Sequence, residues 1–271
     1  MKPVLSLPGL AVGRDGTRKV TRTLPEETPV AVSFDGETLA VMMASPADLE
    51  DFAHGFALTE GVIETLEQID SFEIVEHPNG IEARFTLRDD RSEALKARRR
   101  RMTGPVGCGL CGIDSLEQAV RSVPRVDGGS LTLGRAEIAA ATDALMHHQP
   151  LHDQTRAVHA AGFLRSGEGI LAVREDVGRH NALDKLIGAL ARTGIDAASG
   201  AIVLTSRISV EMVQKAAMAG CPVIVAASAP TAHALRLADQ AGITIAAFAR
   251  AGGFDLYSHP QRIITGASDV A

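Results

Sequence analysis

Tryptophan is absent from this 271-residue chain, tyrosine occurs once, and aromatic residues make up only 3%. A surface that stacks successive bases needs such rings, so single-stranded nucleic acid is not an expected partner. Positive charge is also in short supply. The 27 Lys and Arg stand against 33 Asp and Glu, a net charge of −6, which argues against a dedicated DNA or anionic-membrane binder. Nowhere do apolar residues run together for the roughly 18 positions a membrane helix needs. The opening Met1–Leu10 is broken by Pro3 and Pro8 and does not read as a secretory leader. Three cysteines are an odd number and too few for a disulfide scaffold. They suit a reducing compartment, the cytoplasm, where thiols serve chemistry or packing. What the chain has in quantity is apolar residues, at 45%. That is enough for one large core or two modest ones.

The pattern of those residues predicts a fold of class α/β with an α+β N-terminal part. Thr28–Phe34 and Glu37–Met43 alternate like strands around an Asp35-Gly36 turn. A helix is expected from Pro46, with Ser45 as its N-cap. Two further strands are expected over Ile69–Glu76 and Ile81–Leu87, joined by a Pro78-Asn79-Gly80 turn. Residues 89–112 are charge-dense and then Gly-rich, the pattern of a mobile functional loop. A helix is expected just after it, where Asp114 and Glu117 have capping-box spacing. The second half alternates apolar strands with helices, which predicts a mostly parallel sheet covered on both faces. The expected organisation is a smaller strand-rich domain over 1–128 and an α/β domain over 129–271.

Three stretches carry chemistry. The first is Gly107-Cys108-Gly109-Leu110-Cys111-Gly112. Its thiols lie just after Arg98–Arg101 and just before the expected helix start, and both features favour thiolate, the nucleophilic form. Sulfur relay, a thioredoxin-like redox pair, half of a zinc site completed by Cys221 or a histidine, and an inert pair all remain open. Cys221 itself precedes a buried strand and reads as packing. The second is a series of loops expected at strand ends: Thr205–Ser209 with Ser206, Arg207 and Ser209, then Ser228–Thr231, then Ala249–Gly253 with Arg250. Open α/β sheets bind ligands at the carboxyl ends of their strands. Hydroxyls, helix N-termini and arginines there suit a nucleotide or pyrophosphate, although Ser228, Thr231 and their like also cap helices everywhere. The third is Arg174–Lys185, in which Arg179, His180 and Asn181 gather at an expected helix start. Ligand contact and a salt-bridge cluster are equally open there. His159, on an apolar strand, reads as a satisfied core residue.

These stretches, with His159–Gly162, Phe52–Gly61, Ser206–Thr231 and Ala249–Tyr257, resemble the FdhD/NarQ family of formate dehydrogenase accessory proteins over about residues 29–264. The resemblance implies a sulfurtransferase. It would take persulfide sulfur from a cysteine desulfurase and pass it to the molybdenum or tungsten bis-guanine-dinucleotide cofactor destined for formate dehydrogenase. Cys108 matches the persulfide carrier, with Cys111 beside it. Phe248, Ala249, Arg250, Ala251, Gly252 and Gly253 match the cofactor-binding loop, and GDP would serve as a surrogate ligand. The resemblance also implies a cytidine-deaminase-like, three-layer C-terminal domain. The deaminase zinc motifs His-x-Glu and Pro-Cys-x-x-Cys are missing here, so neither deamination nor a resident metal is expected. Asp255 stands where the family often carries Asn. The implied partners are the desulfurase, the formate dehydrogenase catalytic subunit and a second copy of the chain, with no nucleic acid and no membrane. The alternative is a cofactor chaperone that protects and inserts the cofactor without sulfur chemistry.

Overall fold

The computed structural model describes residues 1–93 and 123–266. Cys108, Cys111, the Arg98–Arg101 run and the expected helix after Asp114 therefore lie outside the described residues. The chain opens with an antiparallel ribbon, β1 (Val4–Gly13) and β2 (Gly16–Pro25), which the sequence pattern did not predict. Next come β3 (Thr28–Phe34), β4 (Glu37–Ala44), helix α1 (Leu49–Thr59), β5 (Ile69–His77) and β6 (Gly80–Leu87). They form a four-stranded sheet in the order β4-β3-β6-β5, with β3 and β6 parallel. Period-two alternation puts Val30, Val32, Phe34, Ala83 and Phe85 on one face, against Phe52, Phe56 and Ala57 of α1. Phe34 and Phe85, paired in register, stack at 4.9 Å. The helix begins later than Ser45-Pro46 predicts, with Asp48 at its N-cap. The Ser45 hydroxyl is committed elsewhere and accepts from the Val177 N–H at 3.1 Å.

The second half contains β7 (Leu133–Gly134), α2 (Arg135–Met146), α3 (Pro150–Thr155), β8 (His159–Arg165), β9 (Gly169–Asp176), α4 (Arg179–Thr193), β10 (Ala201–Leu204), α5 (Val210–Met218), β11 (Val223–Ala226), α6 (Ala232–Ala241), β12 (Thr244–Arg250), β13 (Gly253–Leu256) and β14 (Ile263–Ile264). Six of these strands form one sheet, in the order β13-β12-β11-β10-β8-β9. Its centre, β10-β11-β12, is parallel, and both flanks are antiparallel. Fewer pairs are parallel than the strand–helix alternation predicts, because two flanking pairs, β8-β9 and β12-β13, are hairpins that need no crossover. Ile202, Leu204, Ile224 and Ile245 face α4, α5 and α6 on one side. Ala201, Val203, Val223 and Val225 face Ile138, Ala141 and Leu145 of α2 on the other. The result is a helix–sheet–helix sandwich of three layers.

The two halves meet where α1 crosses α4, at two glycines. A Cβ on Gly55 would sit 1.8 Å from the Asp184 carbonyl oxygen, and one on Gly188 would sit 1.9 Å from that of Asp51. Only glycine lets these backbones touch. Two buried ion pairs flank the crossing. Lys185 Nζ lies 2.7 Å from Asp176 and donates to the Ser45 carbonyl at 3.0 Å. Lys215 Nζ donates to both Asp184 oxygens at 2.9 Å and to Thr59 Oγ1 at 3.0 Å. Burial works against the Lys215 ammonium, but Asp184 and Glu60 outweigh it and hold its pKa above the usual lysine value. No described helix is long and apolar enough to cross a membrane.

Candidate functional site

Strands β10, β11 and β12 run parallel and side by side, so the loops that leave their carboxyl ends must be neighbours. Backbone hydrogen bonds tie them together. Ile208 donates to Ala229 at 3.1 Å, Thr231 donates to Ile208 at 3.0 Å, and Phe248 donates to Ser228 at 3.3 Å. Ser206, Arg207, Ser209, Ser228, Thr231 and Phe248–Gly253 are therefore gathered on one edge of the sheet. Their individual situations differ. The Thr231 hydroxyl caps α6 by accepting from the Ala234 N–H at 3.2 Å. Ser206 is buried and its hydroxyl donates to the Arg207 carbonyl at 3.0 Å. Ser209 occupies the N-cap position of α5 without a side-chain cap bond. Arg207 and Arg250 are exposed, and among the described residues neither belongs to an ion pair.

The loop after β12 is unusual in its backbone. Phe248, inside a β-bulge between Ala247 and Arg250, and Ala251, in the turn that follows, both adopt left-handed φ, 53° and 52°. Left-handed φ is uncommon for residues with a Cβ and marks a conformation that the surroundings impose. The surroundings here are the Phe248 hydrogen bond to Ser228 and the Ala249 carbonyl, which accepts from the Thr142 hydroxyl of α2. Ideal Cβ atoms on Gly252 and Gly253 would touch nothing, so the turn beside Arg250 is open on its outer side. Asp255, on β13, accepts from the Tyr257 hydroxyl at 3.4 Å.

The stretch Arg174–Lys185 divides between the two roles left open for it. Most of it is structural. Arg174 pairs with Asp51 at 2.7 Å, Glu175 accepts from the Leu151 and His152 N–H groups at 2.8 Å, and Asn181 donates to the Met43 carbonyl at 2.8 Å. Arg179 and His180 are different. They open α4 at the same edge as the three loops, and the buried Arg179 Nε and His180 Nε2 find no hydrogen-bond partner among the described residues. Burial, then the Arg179 and Lys215 cations, push the His180 pKa down to about 4. His159, at the start of β8, is half-buried, and burial followed by Arg179 lowers its pKa as well. Its neighbour Ala160 donates to Thr205 Oγ1 at 3.0 Å, which joins this cluster to the loop after β10. Arg179 and His180 were weighed in the sequence without being placed at the site; their position at a strand-to-helix junction was the available signal. Cys221 lies at the other end of the sheet, fully buried, and burial raises its thiol to about 11. It packs, as its position before a strand predicts.

Comparison with known proteins places these features in context. The model of the FdhD/NarQ family matches residues 25–264. The chain is 55% identical over 252 residues to a protein named sulfur carrier protein FdhD from Agrobacterium fabrum, covering 93% of each chain. It is 52% identical to the protein of that name from Brucella abortus, covering 94% of this chain and 95% of the relative. A crystal structure of a candidate formate dehydrogenase accessory protein from Desulfotalea psychrophila superposes with a TM-score of 0.77 at 26% identity. The match covers 97% of this chain and all of that one.

Proposed function

The chain belongs to the FdhD/NarQ family, and from that premise we propose that it carries sulfur for the maturation of formate dehydrogenase, with Cys108 as the persulfide carrier. The observation that carries this reading is the extended identity to proteins named as sulfur carriers, in a chain whose one Cys-x-x-Cys pair is Cys108 and Cys111. The Cys108 thiolate attacks the terminal sulfur of a cysteine desulfurase persulfide. A new S–S bond forms on Cys108, the donor S–S bond breaks, and the donor departs as thiolate, with no net oxidation. Release of that sulfur as sulfide requires two electrons. Cys111 supplies them by attacking Cys108 Sγ, which leaves a Cys108–Cys111 disulfide for a cellular thiol to reduce.

The acceptor is the molybdenum or tungsten bis(molybdopterin guanine dinucleotide) cofactor, bound as cargo. Its pyrophosphates and guanines suit the edge formed by the loops after β10, β11 and β12. Among the described residues Arg207 and Arg250 form no ion pair, and Arg179 Nε and His180 Nε2 find no hydrogen-bond partner, the nearest carboxylate to His180 Nε2 being that of Glu211 at 3.9 Å. In this reading Phe248–Gly253 grips one nucleotide through backbone and Arg250, and GDP binds in its place. The three-layer scaffold serves as a deaminase-like frame without deaminase chemistry. The sulfur donor, the formate dehydrogenase catalytic subunit and the cofactor all meet the protein in the cytoplasm.

The test separates carrier from chaperone. A Cys108→Ala, Cys111→Ala double variant should bind GDP as the wild type does, because neither thiol holds a phosphate. It should fail to restore formate dehydrogenase activity in cells lacking the native protein. Full restoration would replace the carrier reading with a cofactor-protecting chaperone.

A further inference from the structure

Asp176, the last residue of β9, is fully buried, and four donors share its carboxylate. Oδ1 accepts from the Gly178 N–H at 2.8 Å and from Asn181 Nδ2 at 3.0 Å. Oδ2 accepts from the Ser45 N–H at 2.9 Å and lies 2.7 Å from Nζ of Lys185, which is itself fully buried. Two further bonds close the set. The Val177 N–H donates to Ser45 Oγ at 3.1 Å, and Asn181 Nδ2 also donates to the Met43 carbonyl at 2.8 Å. The turn between β9 and α4 is therefore tied to the end of β4 in the N-terminal sheet.

Stability alone does not account for such a set. Taking an ammonium and a carboxylate out of water costs about as much as their attraction returns, and apolar residues of similar volume often hold a core as well or better. What a fully satisfied buried network does fix is the course of the backbone through it. Packing tightens that hold. A Cβ on Gly178 would lie 3.0 Å from Asn181 Nδ2 and 3.4 Å from Asp176 Oδ1. Gly178 stands at the N-cap of α4 and brings no side chain to cap it. Asp176, bonded to Gly178 and Asn181, fixes the start of the helix instead.

Between those two fixed residues stand Arg179 and His180. Their buried Nε and Nε2 atoms have no hydrogen-bond partner among the described residues. His180 Nε2 lies 3.9 Å from Glu211, the second residue of α5, just past the loop that follows β10. Groups that bind a ligand need a supporting shell that locks their geometry. We propose that Asp176 is a positioning residue for the carboxyl edge of the large sheet. Bonded to Ser45, Lys185 and Asn181, it holds Arg179 and His180 beside the loop after β10, so the edge is complete only while the N-terminal sheet is docked. The inference rests on the reading that this edge binds the nucleotide end of the cargo, and it adds which buried residues set that edge.

Calorimetric GDP binding by the full-length protein tests it. Asp176→Asn would leave the Lys185 ammonium unpaired in the core and endanger the fold, so Ser45→Ala and Asn181→Ala carry the test. Ser45→Ala removes only the hydroxyl that accepts from Val177 and leaves the Asp176–Lys185 pair in place. Each of the two variants should weaken GDP binding about five-fold, the effect of one lost buried bond. The Arg179→Ala, His180→Ala double variant should weaken it about ten-fold or more. Adding Ser45→Ala to that double variant should change the affinity no further, because a residue that acts through Arg179 and His180 then has nothing left to position. A general loosening of the fold would instead lower affinity equally in both backgrounds, and that result overturns the proposal. Wild-type affinity in both Ser45→Ala and Asn181→Ala also overturns it. Affinity lost in Arg250→Ala but kept in the double variant overturns this inference alone. Affinity kept in Arg207→Ala, Arg250→Ala and the double variant alike overturns the nucleotide-edge reading and this inference with it.

Discussion

At the scale of single residues, the carboxyl edge of the large sheet carries two exposed arginines that form no ion pair among the described residues. Arg250 sits on an open turn next to Gly252 and Gly253, and Arg207 is exposed on the neighbouring loop. A charge-assisted contact contributes about 1.5–3 kcal/mol. Arg250→Ala should therefore weaken GDP binding about ten-fold or more by calorimetry, while persulfide loading stays intact. His180 makes a prediction of a different kind. Its pKa is about 4 in the folded protein and close to 6.5 when unfolded. Above about 6.5 both states are neutral and the contribution to stability is complete. As the pH falls from about 6.5 to 4, the unfolded chain binds a proton that the folded one does not, and stability drops. In His180→Gln the urea midpoint should fall less between pH 7 and pH 5 than in the wild type; an unchanged slope would show that His180 titrates freely. Residue types were legible in the sequence where they served packing, as for Cys221. They were ambiguous within Arg174–Lys185, because ion pairs such as Arg174–Asp51 join positions 123 residues apart, and one sequence shows no such pairing.

At the scale of elements, period-two and helical patterns located most strands and helices. Their ends were set by tertiary partners. Ser45 looks like an N-cap, yet the Ser45 amide donates to Asp176 at 2.9 Å and its hydroxyl accepts from Val177, so α1 starts only at Leu49. The ribbon β1–β2 escaped notice for a related reason. With most of its residues exposed and none buried it carries no buried face to impose alternation, and Pro8 interrupts the pattern of its first strand. The three loops at the sheet edge, by contrast, were legible because parallel strands force their carboxyl ends together. The most sensitive junction between elements is the crossing of α1 and α4. Gly188→Ala would drive a Cβ into the Asp51 carbonyl, and the helices would have to separate. Such a clash between backbones should cost about 3 kcal/mol or more. Thermal unfolding should show a drop of several degrees, and an unchanged midpoint would contradict the close packing described.

At the scale of the whole molecule, two sheets are joined by a glycine crossing and two buried lysine pairs. The larger sheet presents an anion-suited edge. The Cys108–Cys111 segment falls between the two sheets in sequence. The proposed carrier role would use such a division, with cargo held by one part and sulfur presented by another. The family was legible from the motifs alone because they span both halves, from Phe52–Gly61 to Ala249–Tyr257. The central claim is that sulfur travels on Cys108, and peptide mass spectrometry tests it most directly. After incubation with a cysteine desulfurase and cysteine, the peptide containing Cys108 should gain one sulfur atom in the wild type and none in Cys108→Ala. No gain in the wild type, or an undiminished gain in Cys108→Ala, would contradict the account.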